Sequence, residues 1–312
     1  MRVNIRVAST QFGSFNYIAR LVQPIFLKFD EVEEVVISTE YKEGYHNILI
    51  EDGVVSTIMK RKADIWWSDT PGILPTSRHK WDELISDNEL FKKNYTASNY
   101  CKEHYKKLGI RVEETIIPRP INPALFSVET NLEEKEFDLF TVGDHVSCPR
   151  KNIDLHRRLV NDRNYKYVAI TNIIFFSKPN VTIYRFGTVS DKDKIDLSRK
   201  SKFYLHTASI EGFGMPVLEA MASGVPVIYT DCPAHNEFAV GIPIPVVDKI
   251  EKFCYNAKIE WYLVDYQDVL EAVDYAMGLS KEEYLDLSAK AKEKAKEVYK
   301  QFLDNVKLLL EV

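Results

Sequence analysis

The stretch Ser209-Ile210-Glu211-Gly212-Phe213-Gly214-Met215-Pro216-Val217-Leu218-Glu219-Ala220-Met221-Ala222-Ser223-Gly224-Val225-Pro226-Val227-Ile228 decides the fold. It reads as a loop, a helix and a strand. Gly212 and Gly214 let a ligand approach the backbone closely. Pro216 suits the first turn of a helix, and Gly224 suits its end. Val217 with Met221, and Leu218 with Ala222, are i, i+4 pairs that can pack inward. Val225-Pro226-Val227-Ile228 then opens a strand. The loop presents a helix N-terminus, whose unpaired amides suit a phosphate. Glu211 sits in that loop, past the C-terminal end of a strand, and Glu219 lies about one turn into the helix. Ligands of open α/β sheets bind at that edge.

Outward from this block, short apolar runs alternate with helix-length segments. Strands are expected at Val3–Ala8, Val35–Ser38, Ile48–Ile50 and Ile65–Trp67, with helical spacing over 15–28. A second series reads strand 137–142, helix from 152, strands 166–171 and 181–185, helix 191–200, strand 203–206. Such alternation implies crossover units and parallel sheets. Pro118, Pro120 and Pro123 exclude a helix or central strand between Ile116 and Phe126, which reads as a linker. Two doubly wound domains follow, and 312 residues accommodate them.

Composition excludes several classes. With 45% hydrophobic and 28% charged residues the chain is neither fibrous nor disordered. Its net charge of −5 argues against a nucleic-acid partner. Cys101, Cys148, Cys232 and Cys254 form no Cys-x-x-Cys pair, so a reducing, cytoplasmic setting is expected. No apolar run is long enough to span a membrane, and the N-terminus alternates like a strand rather than a signal peptide. His145-Val146-Ser147-Cys148 is too sparse for a metal site, so none is expected. His206 falls inside a strand and reads as a structural residue.

Two functional readings compete for the central block. Gly212-Phe213-Gly214, with Asp231 17 residues beyond Gly214, mimics a dinucleotide fingerprint. Its third glycine is replaced by Val217, which leaves a weak signal. The stronger reading is a resemblance. Glu211 and Glu219, with seven residues between them inside a Glu-Gly-Phe-Gly-x-Pro-x-x-Glu-Ala-Met-Ala-x-Gly-x-Pro-Val frame, resemble the donor site of retaining GT-B glycosyltransferases of glycosyltransferase family 4. Thr96 to Ile110, Ile117 to Phe126, Phe140 to Gly143, Arg150-Lys151-Asn152 and Thr230-Asp231 with Glu237 resemble further segments of that family. The likeness covers roughly 95–280. It departs at Asp144, where the family often has Arg, and Arg150 is a candidate substitute. It also departs at Trp66-Trp67-Ser68-Asp69, where the family presents a His.

The resemblance implies a GT-B fold: two Rossmann-like doubly wound domains facing each other across a cleft. Residues 1–126 would bind acceptor, 127–290 would bind the sugar nucleotide, and 291–312 would form a helix crossing back. It implies a retaining hexosyltransferase that moves sugar from a nucleoside diphosphate donor to a glycan, lipid or other acceptor, without a metal or other cofactor. Glu211 would be catalytic, contacting the sugar. Gly13, Arg150, Lys151, Gly212, Phe213, Gly214, Met215, Pro216, Leu218 and Glu219 would bind donor, with Glu219 accepting ribose hydroxyls. A degenerate sugar-nucleotide-binding partner subunit and an epimerase on the same fold are the alternatives. Residues 78–111 are basic and rich in tyrosine. They suit either peripheral contact with a membrane's cytoplasmic face or a solvated helix face.

Overall fold

The computed structural model describes residues 1–7, 14–50, 63–68, 91–107, 109–127, 129–143, 149–172, 178–185, 187–254 and 257–311. The chain divides into two compact units. The first comprises Met1–Ile121, Tyr255–Ile259 and Val298–Val312; the second comprises Asn122–Cys254 and Glu260–Glu297.

In the first unit, β1 (Arg2–Arg6), β2 (Glu34–Ser38), β3 (His46–Leu49), β4 (Ala63–Ser68) and β5 (Phe91–Thr96) form one sheet in the order β2-β1-β3-β4-β5. Every pair is parallel. Parallel strands are covered on both faces, which suits the fully buried Val3, Ile5, Ile48 and Ile65. Strand β5 went unread as an apolar run because Phe-Lys-Lys-Asn-Tyr-Thr carries three polar residues at its centre. Lys92 there pairs with Asp64 at 2.8 Å. Within 78–111, the described residues include this strand and the helix Asn99–Lys107. That helix starts where Ser98 Oγ accepts the Cys101 amide, and its Lys106 pairs with Glu114 at 2.7 Å.

The proline-rich segment departs from a loose linker. Ile117 to Ile121 is buried, and the Arg119 guanidinium lies 4.3 Å from the Trp67 ring centroid. Trp67 donates its indole N–H to Ile117 O at 2.8 Å and stacks on Phe302. The prolines thus fix an extended run that the first unit packs over, up to the division between units at Ile121.

In the second unit, β6 (Phe137–Gly143), β7 (Tyr167–Thr171), β8 (Val181–Arg185), β9 (Ser201–His206), β10 (Val227–Thr230) and β11 (Gly241–Ile244) form a parallel sheet. Their order is β11-β10-β9-β6-β7-β8. The chain winds outward from β6 to β8, then returns to β9 and winds the other way. The switch point falls between β6 and β9. Helices Ile153–Asp162 and Tyr266–Met277 pack Leu159, Val160, Val269 and Val273 into the core beside Leu139, Phe203 and Ile228. Strands Asp248–Cys254 and Ala257–Leu263 form a separate two-stranded sheet. The long helix Lys281–Asn305 is charged along its exposed side with Lys/Glu and Lys/Asp pairs.

The helix Met215–Ala222 runs from β9 toward β10 and is buried on nearly every side: Val217, Leu218, Met221 and Ala222 have no exposure. It ends at Gly224, whose φ of +70° favours glycine. Gly224 O accepts from Ser288 Oγ at 2.6 Å, and an added Cβ would lie 2.3 Å from Thr130 Oγ1. Gly224→Ala is therefore expected to cost about 2 kcal/mol, from the left-handed backbone and the displaced Thr130. A lowered denaturation midpoint in urea would show it, and an unchanged midpoint would refute it.

Candidate functional site

The second unit's switch point gathers the chemistry. Gly143 ends β6 and His206 ends β9, on neighbouring parallel strands. Beyond them stand two segments: the tight turn Pro149–Lys151, and the loop 207–214 that leads into the Met215–Ala222 helix.

Asn152 locks the two together. It adopts φ 52°, ψ 46°, the left-handed region that asparagine tolerates. Its amide donates to Thr207 O at 2.7 Å and Ser209 Oγ at 2.8 Å. Thr207 Oγ1 returns a bond to Lys151 O, and the Ser209 amide donates to Arg150 O at 2.8 Å. On its other side, Ser209 O accepts the Tyr262 amide at 3.0 Å. The basic pair and the glutamate loop are thus held in fixed register by three side-chain bonds and one backbone bond.

Glu211 is 8% exposed, and three nitrogens surround one of its oxygens, Oε1. Arg150 Nη1 is 2.6 Å away, Lys151 Nζ makes a short ion pair, and His206 Nε2 lies at 3.3 Å. Burial alone would raise the carboxyl's pKa, but the Arg150 and Lys151 charges hold it well below the usual carboxylate range. His206 moves the other way. Burial, aided by Lys151, lowers it to about 3, so its ring is neutral at neutral pH. His235, fully buried, is lowered by burial as well. Cys232 contacts His235 Nδ1 at 3.2 Å, but burial pushes its thiol up to about 12, which makes it inert as a nucleophile.

Glu219 is held separately. Both of its oxygens meet Lys194 Nζ, at 3.0 and 3.1 Å, from the helix Asp191–Arg199. Between the two glutamates, Gly214 takes φ 91°, and a Cβ there would approach His235 Cδ2 to 3.3 Å. Val217 and Leu218 amides turn back to Gly214 O, and Pro216 has no N–H. The Met215 amide, at the helix start, has no intrahelical partner and is an available donor.

The structure thus brings Arg150, Lys151, Glu211 and the 212–216 loop together, with Glu219 following in the helix. Phe213 stacks on Phe238 and supports the loop from behind. Leu218 is fully buried, so its side chain lines the core. Gly13, Asp69, Asp144 and the segment His145–Cys148 lie outside the described residues. Ser68 is fully buried with its hydroxyl against Tyr105 Oη at 2.6 Å. Among the described residues no cluster of His, Cys, Asp or Glu could hold a metal, and no helix is long and apolar enough to cross a membrane. Sequence reasoning missed Lys194, His206, His235 and the clamp by Asn152. His206, five residues before Glu211 at the end of its strand, was the one legible signal.

Known proteins resemble this chain in sequence and fold. The profile described as Glycosyl transferases group 1 matches residues 177–240, which carry both glutamates. The provisionally named glycosyltransferase 48 of Sulfolobus islandicus filamentous virus (isolate Iceland/Hveragerdi) is 32% identical over 289 residues, 87% of each chain. The provisionally named glycosyltransferase ORF330 of Acidianus filamentous virus 2 (isolate Italy/Pozzuoli) is 30% identical over 76% of each chain. The chain is a glycosyltransferase that carries a group 1 domain. Solved structures agree on the fold of this glycosyltransferase. Sucrose-phosphate synthase (tll1590) from Thermosynechococcus elongatus superposes with a TM-score of 0.71 at 11% identity, covering 99% of this chain and 98% of that one. Anabaena Alr3699/HepE in complex with UDP and glucose gives 0.70 at 12% identity, with both chains fully covered. The fold is GT-B, built from two Rossmann-like parallel-sheet units.

The ion triad sets a pH prediction for this glycosyltransferase. A carboxyl whose pKa falls on folding stabilises above its unfolded value, near 4.3, and loses that contribution as pH drops through the folded value. Glu211→Gln removes the counter-ion of two largely buried cations, at an expected cost of about 3 kcal/mol at pH 7. The gap in Tm between wild type and Glu211→Gln should be full at pH 7 and narrow as pH falls below about 4. A gap that does not change with pH would contradict the ion-triad account.

Proposed function

We propose that this glycosyltransferase is a retaining hexosyltransferase whose donor is a nucleoside diphosphate-sugar and whose acceptor is a glycan or lipid-linked sugar. The carrying observation is the meeting of Arg150 and Lys151 on Glu211 at the switch point, in the loop that leads into the Met215–Ala222 helix. In sugar transfer, negative charge grows on the departing diphosphate while the sugar ring becomes cationic. Fixed cations and an oriented amide meet the first need without reorganisation. Glu211, ionised at neutral pH, meets the second: its charge faces the developing oxocarbenium ion. Glu219 would accept hydrogen bonds from the ribose hydroxyls, with Lys194 balancing its charge under the nucleotide. Two guanidinium or ammonium groups on one diphosphate supply the work a divalent cation performs elsewhere, so a metal-independent reaction is expected. HepE, whose fold this chain shares, is solved with UDP and glucose, and this supports a nucleoside diphosphate as the leaving group here. We place the enzyme in the cytoplasm, where such donors are made.

Thermal unfolding against UDP, GDP, ADP, dTDP and NAD tests the donor. A nucleoside diphosphate at 100 times its Kd should stabilise by about 2.7 kcal/mol, raising Tm by about 2 °C or more for a chain of this size. Glu219→Gln should weaken the responding nucleotide by about tenfold, the loss of a charge-assisted hydrogen bond. A response to NAD alone would overturn the reading. Once the donor is known, proton NMR of the first-formed product should show the donor's anomeric configuration; the opposite anomer would exclude retention.

A further inference from the structure

Three nitrogens approach Glu211 Oε1, and among the described residues none approaches Oε2. The three differ in freedom. Arg150 and Lys151 are long side chains on a short turn, 24% and 11% exposed. A diphosphate, carrying more charge than one carboxylate, would draw both toward itself. His206 has no such latitude. It is 2% exposed at the end of β9, with Tyr204 stacked on one side at 5.7 Å and His235 meeting it edge-on at 4.8 Å. His235 is itself fixed by its Nδ1–H, which donates to Thr230 O at 3.0 Å.

The proton on His206 follows from electrostatics. An unprotonated Nε2 would set its lone pair against a carboxylate oxygen 3.3 Å away, so the hydrogen belongs on Nε2. The approach is off the axis of a linear hydrogen bond and acts as an ion–dipole contact. Nδ1 is then an acceptor, and the Tyr204 hydroxyl, 3.4 Å from Nδ1 and 3.3 Å from Val142 O, must turn its single proton to the ring. Being neutral, the ring is not pulled toward an incoming phosphate as the two cations are.

We propose that His206 is a positioning residue: it retains Glu211 when Arg150 and Lys151 pass from the carboxylate to a diphosphate. Glu211 Oε1 occupies the place of a phosphate oxygen in the ligand-free protein, and His206 is the partner that stays. The inference rests on the reading of Arg150 and Lys151 as diphosphate ligands. Its consequence is directional. Without His206 the carboxylate depends wholly on the cations, competes harder for them, and weakens diphosphate binding.

Inorganic pyrophosphate is the probe, measured by calorimetry on the full chain in four proteins: wild type, His206→Leu, Glu211→Gln and the double variant. His206→Leu should weaken pyrophosphate about tenfold in the wild-type background, the loss of one contact to a charged group. In the Glu211→Gln background the same substitution should change affinity by less than about twofold, because the competitor is gone. His206→Gln, which keeps an N–H near Nε2, should stay within about threefold of wild type. Equal weakening in both backgrounds, or none in either, overturns the proposal and leaves His206 as packing. Nitrogen-15 NMR of the histidine rings gives a second test that needs only the unmutated protein. A proton on Nε2 of His206, kept when pyrophosphate is added, is expected; a proton on Nδ1 overturns it. If wild type binds no pyrophosphate, the exchange is wrong. The nucleoside diphosphate panel then shows separately whether the donor reading falls with it.

Discussion

A carboxylate removed from water must either take a proton or find cations, and Glu211 finds two on the same oxygen. Much of the second unit's construction serves that meeting. Arg150 and Lys151 reach the glutamate because Asn152 takes a left-handed backbone and binds the loop that follows β9. The loop stays in place because Arg150 O and the Tyr262 amide hold Ser209 from opposite sides. Remove the ion pairs, and these polar bonds position two unbalanced cations at a sheet edge. On the proposed reading, the site is a preloaded anion position, filled by the protein's own side chain until a ligand competes for it.

The sheet supplies the place. Between β6 and β9 of the second unit's sheet, neighbouring strands send their connections in opposite directions, which opens room above their C-terminal ends. Gly214 then admits a sharp entry into the Met215–Ala222 helix, where a side chain would press on His235. That helix is apolar around nearly its whole circumference, so its axis is fixed by core packing rather than by surface bonds. Glu219 is its buried polar exception, and Lys194 answers its charge. The position of an otherwise apolar helix therefore sets the spacing of the two glutamates.

Much of this was legible in the sequence. Alternating apolar runs located β1 to β4 and the second unit's sheet strands as far as β10, because buried parallel strands must be apolar nearly throughout. Strand β5 escaped because Lys92, Lys93 and Asn94 occupy its middle, and only tertiary pairing such as Lys92 with Asp64 makes that tolerable. The glutamate frame was legible because backbone constraints, glycines and a proline, fix its spelling. Lys194 and His235 were not. Each reaches the site from another element, 25 and 24 residues from Glu219 and Glu211 respectively, and no local periodicity records such a meeting. Arg119 shows the reverse case. A charged residue among prolines reads as exposed linker, yet here it is fully buried over an indole face, a partner that only the folded unit provides.

Charge balance joins these observations. The whole chain carries −5, a sign that repels a diphosphate at long range. At the switch point the account reverses: Arg150, Lys151 and Lys194 face Glu211 and Glu219, while His206 and His235 remain neutral. Three cations against two carboxylates leave one positive charge, concentrated where water is largely excluded and interactions are strong. Had either histidine been protonated, the site would hold anions more tightly, but Glu211 would be committed more firmly to its own neighbours. Had Lys194 been apolar, Glu219 would sit unpaired beneath any bound nucleotide. The arrangement therefore favours a ligand with two negative charges at one end and hydroxyls at the other, the ends separated by the distance from the Arg150–Lys151 turn to Glu219.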